Sequence, residues 1–325
     1  MPVQRELPFD TSLTVGYVGS KGSHAGNSVR NYNSPSPSPD SNAQRNRPWQ
    51  RVYDPATPEL GVQSLATIRY LDSFANTFHH GLQVKLDKRF SKGLAFGLAY
   101  TFSKSHGDGE NGGQEGAQFQ DPRNCLSCDR CRFRFDQRHN MVGHFVWDMP
   151  GQNLDGPIRH ILGGWQSNGI ISLRSGFPFT LVNPRGDLNV TDSNIRPDRI
   201  ADGALSDASR KLWFDPTAFQ RVTCDVPELV ADRCHFGNAG HNILDSPGQV
   251  NMDFGLFNNF NITETVKVQF RWELFNATNT PYFGAPNGIS LSSPNTLTPD
   301  GSRDGEIRGT QTTNRIQQFA LKFFF

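Results

Sequence analysis

Cys125, Cys128 and Cys131 stand in a C-x2-C-x2-C run, the spacing in this chain that comes nearest to a metal-ligand set. Thiolates so placed can hold zinc or part of an iron–sulfur cluster. No fourth cysteine follows at ferredoxin spacing, and in an oxidising compartment disulfide pairing is the expected outcome. Cys224 and Cys234 lie in one loop-like stretch at a separation typical of a local disulfide. With five cysteines, any pairing scheme leaves one over.

Other candidates for chemistry fall away on geometry. His139 and His144 are an odd number of residues apart, so on a strand they point to opposite faces and cannot share an ion. The same holds for the adjacent His79 and His80. Asp108, Glu110, Asp187 and Asp192 offer oxygens to calcium, but solvated loop charge is the simpler reading. No Walker A motif, G-x-S-x-G elbow, H-E-x-x-H pair or dinucleotide fingerprint occurs. No enzyme activity, cofactor or metal is expected. Lys+Arg 32 against Asp+Glu 31 leaves no basic surplus, so nucleic acid is not an expected partner.

The composition points elsewhere. Only 35% of residues are hydrophobic, yet Phe numbers 25 and Gly 31. Few aliphatics with many Phe and Gly suit a sheet with one greasy and one wet face. No apolar run is long enough for a transmembrane helix, but a spanning strand needs only about 9–11 residues, alternate ones polar.

Period-2 segments recur from end to end. Leu13, Val15 and Tyr17 form one such row, and Leu82, Val84 and Leu86 another, opposite Lys85 and Asp87. After Ser91-Lys92-Gly93 come Leu94, Phe96, Leu98, Tyr100 and Phe102, alternating with small residues. Met141, Phe145 and Trp147 follow, then Trp165 to about Ser175, then Met252, Phe254 and Leu256. Val266, Val268, Phe270, Trp272 and Leu274 alternate with Lys267, Arg271 and Glu273. The last row is Phe319, Leu321, Phe323 and Phe325. Short connections near Ser91–Gly93, Asp148–Gly164 and Asn258–Thr265 alternate with long polar ones over Ser20–Thr77, Ser105–Arg138, Gly176–Gln249 and Asn276–Asn314. That asymmetry predicts an all-β, antiparallel transmembrane barrel segment of about eight amphipathic strands, with short periplasmic turns and long extracellular loops. Leu65–Tyr70 fits a further strand or a part of a loop. A soluble β-sandwich would leave the charged rows unexplained.

Roles follow from the alternation. Lys85, Asp87, Lys267, Arg271 and Glu273 are expected to face the lumen, because facing lipid would be costly. Tyr17, Tyr100, Trp147, Trp165 and Trp272 are expected in the interface girdles.

The ending Gln318-Phe319-Ala320-Leu321-Lys322-Phe323-Phe324-Phe325 resembles the β-signal of outer-membrane proteins. That resemblance implies recognition of Phe319, Leu321, Phe323 and Phe325 by the barrel-assembly machinery. Further stretches include Gly16-Tyr17-Val18-Gly19-Ser20-Lys21-Gly22, Leu82–Phe90, Ala99–Ser105, Phe135-Asp136-Gln137-Arg138-His139, Gly164-Trp165-Gln166, Ser175–Phe179, Phe236–Gly240, Gly248–Phe254 and Phe270–Asn276. Taken in order, they resemble the TonB-dependent receptor family, specifically its Oar-like branch. The resemblance implies a barrel of about 22 strands around an N-terminal plug, pulled by TonB to admit scarce ligands across the outer membrane. Residues 1–325 match its C-terminal barrel portion. Plug, TonB box and signal peptide have no counterpart here, so TonB is expected to act only through a region that precedes this sequence. The competing expectation is a small autonomous outer-membrane barrel with adhesive or binding loops.

Overall fold

The structure, a computed structural model, describes residues 2–49, 56, 65–108, 119–151, 163–183, 187–190, 195–224, 233–286, 295–296 and 305–325. Its main element is one antiparallel sheet. In chain order the strands are β1 (Val3–Leu7), β2 (Thr11–Asn31), β3 (Arg69–Ser91), β4 (Leu94–Asp108) and β5 (His139–Asp148). Then follow β6 (Trp165–Arg174), β7 (Gln249–Asn261), β8 (Lys267–Phe275) and β9 (Ile316–Phe324). Each strand pairs with the next, and the short strand Arg130–Arg132 pairs separately with the outer end of β4. Among the described residues no ladder joins β1 to β9, so the sheet is an open stretch of barrel wall.

The all-β antiparallel wall of about eight strands is as expected, with β1 as one strand more: its residues Gln4, Arg5 and Glu6 carry no apolar row yet pair with Thr14, Leu13 and Ser12. One expectation needs correction: the first long connection is shorter than its reading as Ser20–Thr77, because β2 and β3 continue as a paired ribbon out to Asn31 and Arg69. Beyond Gly19 the sequence loses its apolar alternation, so the ribbon persists through strand pairing without the pattern that marks a spanning strand. Leu65 to Ile68 lie in the loop, and strand structure starts at Arg69.

Register fixes which face is which. Leu13 pairs with Leu86 and Leu86 with Leu98. Leu98 pairs with Gly143 and Gly143 with Ile171. The row goes on through Met252, opposite Ile171. Farther along, Leu256 pairs with Trp272 and Trp272 with Phe319. Directly opposite residues share a face, so the apolar rows predicted strand by strand merge into one surface. Much of it stays uncovered by protein: Leu82 is 40% exposed, Trp147 40% and Leu321 60%. A greasy surface of this extent has lipid as its natural solvent.

Charge placed on that surface should therefore be costly in a way that charge one residue away is not. Leu98→Arg is expected to destabilise the assembled wall by about 2–4 kcal/mol. Thr101→Arg, on the opposite face, should change it by well under half of that. Heat-modifiability on gels after urea titration checks both.

Candidate functional site

The inner face of the sheet carries the charged rows. Lys85 lies between Thr14 and Ala99, and Asp87 between Ser12 and Gly97. Their side chains form an ion pair at 2.8 Å. Lys85 is exposed and Asp87 half-buried, both in reach of solvent, which makes that pair weak in energy. On β8, Lys267 lies between Asn261 and Phe324, Arg271 between Phe257 and Ala320, and Glu273 between Gly255 and Gln318. Arg271 meets Glu273 at 3.1 Å and lies 4.8 Å from the centre of the Phe257 ring. The two groups stay apart. Four strands separate β3 from β8, roughly 24 Å at the usual spacing. They line one surface and do not form one pocket. On this face of β4 stand the small residues Gly97, Ala99, Thr101 and Ser103, and the His144 ring of β5 fills the space beside Gly97.

The aromatics sort by height. Trp147 lies opposite Leu94, beside the Lys92-Gly93 turn, and Trp165 opens β6 on the same side. Tyr17 and Tyr100 lie nearer the long-loop side, each hydrogen-bonded to a histidine, His80 at 2.5 Å and His139 at 2.8 Å. Trp272 stacks on Phe319 with ring centres 6.0 Å apart. Phe319, Leu321, Phe323 and Phe325 are all strongly exposed, at the free edge and end of the sheet. His79 and His80 take opposite faces: His79 binds Ser105 Oγ on the inner side, His80 binds Tyr17 on the outer.

The long loops hold the molecule's buried core, which sequence reasoning missed. Phe179, Leu181, Phe214, Ala218, Phe219, Ala239 and Leu244 pack into one cluster. Leu188, Ile195, Val222 and Cys224 pack into a second. The Cys224–Cys234 disulfide joins the two ends of a segment beside that second cluster. Cys125 and Cys128 form the other disulfide. Cys131 lies outside both disulfides, with its Sγ 3.1 Å from His241 Nδ1. Among the described residues no cluster of three or more His, Cys, Asp or Glu could hold a metal. Asp187 pairs with Arg221, and Asp108 with Arg130; Glu110 and Asp192 lie outside the described residues.

Separate loops are tied together by direct hydrogen bonds between polar groups. Arg196, 1% exposed, donates to Asp129 Oδ1, to the Ala239 carbonyl at 2.8 Å and to the Cys128 carbonyl at 3.3 Å. Gln120 accepts from the Arg196 N–H at 2.8 Å and donates to the Gly237 carbonyl at 2.7 Å. Burial pushes the Asp129 carboxyl up, while Arg196 and the Gln120 N–H pull it back. The first loop joins through Arg123 to Ser36 Oγ and Asn189 to the Ser38 carbonyl. The last joins through the Trp213 N–H to the Gly305 carbonyl at 2.8 Å. Asn33, fully buried, binds the backbone of Trp49 and Ala66 through its side chain. Nothing in the sequence marks Arg196 or Asp129. Asn242, at φ 55°, is the kind of left-handed asparagine that loops favour, and it binds Thr180 and the Arg132 carbonyl.

These ties yield two expected outcomes. Arg196→Met strands the buried Asp129 charge and should loosen the loop layer by about 3–5 kcal/mol; adding Asp129→Leu should restore much of it. Hydrogen exchange over residues 120–133 and 195–240 measures both. Burial, then the Arg196 charge, lowers His241 from 6.5 to about 4. Because the folded value is depressed, the neutral ring supports the fold above pH 6.5, and that support fades as pH falls toward 4. Acid should thus cost the loops about 3 kcal/mol at most, and His241→Gln should flatten the dependence in loop proteolysis between pH 7 and pH 4.5.

The family model for the outer membrane beta barrel domain matches residues 1–318. A search of curated proteins finds no match. Among solved structures, the chain is similar to the outer membrane transporter YddB from Escherichia coli, with TM-score 0.47 and 9% identity. That alignment takes in 99% of this chain and 31% of the other, so the chain spans less than a third of that transporter's length. With nearly its whole length matched by the family model, the chain belongs to the outer membrane beta barrel domain family and is a protein of the outer membrane.

Proposed function

We propose that this chain forms the C-terminal part of the barrel wall of a TonB-dependent outer-membrane transporter, related to the Oar-like branch, and that it passes a ligand without chemically altering it. The observation that carries this reading is the open sheet. β1 and β9 each pair on one side only among the described residues, while their shared outer face belongs in lipid. Each unpaired backbone group in hydrocarbon costs several kcal/mol, so a stable wall of this kind needs further strands to complete the ring. A wide ring needs a filling, and the polar inner face with Lys85, Asp87, Lys267, Arg271 and Glu273 suits contact with a plug or a solute.

Partners follow from the same reading. β9, with Phe319, Leu321 and Phe323 outward on its free edge and Phe325 just past its end, is the strand offered to the barrel-assembly machinery. TonB would act through a segment that precedes Met1, and the sheet's outer face would contact lipid alone.

Sequencing the transcript that carries the Met1 codon tests the proposal. The expected result is an in-frame region upstream that encodes a plug, a TonB box and a secretion signal. A frame that opens at Met1 behind nothing but a secretion signal would defeat it, and would favour an autonomous barrel with binding loops.

A further inference from the structure

The outer face does not stop being distinctive where the lipid belt ends. Above Tyr17, Leu82 and Phe102 the register continues without a shift, so parity keeps the same side outward. The next row holds His80 and Lys104, which face each other across β3 and β4. The row above holds Lys21, Phe78 and His106. Lys21 Nζ and Arg130 Cζ each lie 5.7 Å from the centre of the Phe78 ring, and His106 stacks on that ring at 5.2 Å. Lys104, Arg130 and His80, and on the other sign Asp136, all lie near enough to His106 to act on it electrostatically. The inner side at this level is closed: Ser105 is buried, and a side chain at Gly107 would strike Phe133 from the second loop.

Charge and height together are unusual. Lys21, Lys104 and Arg130 are exposed, and neither lysine has an ion-pair partner among the described residues. Asp108 sits at the upper border and is shared by Arg130 at 3.7 Å and Asn76. From Thr11 to Lys21, and from Leu94 to Lys104, is about ten residues, roughly 33 Å along a strand. At a tilt near 40° that is roughly 25 Å of height, the thickness of the apolar band. The cluster therefore stands where hydrocarbon gives way to headgroups on the external side.

We propose that this outward cluster, centred on Lys21, Lys104 and Arg130 around Phe78, binds the phosphate groups of a glycolipid in the outer leaflet. Continuity with the lipid face selects a membrane component over a soluble one. Unbalanced positive charge at headgroup height selects a phosphate-bearing headgroup over a neutral sugar. The aromatic row just below would hold the acyl portion, so that one molecule meets grease and cations along the same strands. The proposal depends on the outer-membrane placement and stands or falls apart from transport.

The test uses the protein isolated folded from outer membranes, with fluorescent diphosphoryl lipid A as probe. The native protein should bind it at least about tenfold more tightly than does the Lys21→Gln, Lys104→Gln, Arg130→Gln triple variant. Lys211→Gln, on the external loops, should bind like the native protein. Dephosphorylated lipid A should not distinguish native from triple variant, and inorganic phosphate should not compete at equal concentration. Equal affinity of native and triple variant for the phosphorylated probe would overturn the proposal, as would effective competition by inorganic phosphate. If the triple variant does not assemble, Lys104→Gln and a sodium chloride titration of the native protein replace it; binding unchanged by both rejects the site.

Discussion

A slip of one residue between any two neighbouring strands would carry Lys85 and Asp87, or Arg271 and Glu273, from the inner face into lipid and bring a row of Leu and Phe inward. The whole wall depends on this parity. Because each strand is registered against the last, one misplaced pairing would propagate through every later strand. Phase is maintained without a shift from Thr11 to Gly22 on β2 and from Leu94 to Phe102 against β5. Among the described residues, shifts of register between paired strands fall only where one face no longer needs to be apolar, beyond Gly22 and at the Ser91 turn. Membrane thickness thus dictates where irregularity is allowed.

Above the membrane a different physics takes over. The sheet has no protein core of its own in the described residues. Burial instead concentrates in the loops, where Phe214, Leu181, Leu188 and Val222 are almost completely enclosed. Two disulfides and the buried Arg196–Asp129 pair hold together chain segments that lack long strands of their own. Replacing such a pair with apolar residues is often tolerated, whereas removing one partner is not, so the pair is better understood as fixing which loops meet than as adding stability.

The sequence showed the wall far better than the loops, for a definite reason. In β4, Leu94 to Phe102 alternates with Ala, Gly and Thr so regularly that face, direction and neighbour could all be inferred. β1 could not, since Gln4, Arg5 and Glu6 have no apolar rhythm and their strand exists through pairing with β2. The outer halves of β2 and β3 were hidden likewise, because their sequences carry no apolar alternation. In the loops, Ile195, Phe214 and Val222 are scattered among Pro, Asn and Asp at no fixed interval, because a core built from irregular backbone imposes no period. The inner-face charges were legible as a row but not as separate groups, because the number of strands between β3 and β8 determines their distance.

The tie between Asp129 and Arg196 also shapes how the cell is seen from outside. The residues are 67 positions apart in sequence and buried together between loops, so the surface above them is a mosaic of segments from distant parts of the chain. A phage fibre or an antibody that grips this surface reads a discontinuous epitope. A short peptide copied from any one loop would present none of it, and variation in one loop would disguise the neighbours it touches as well as itself.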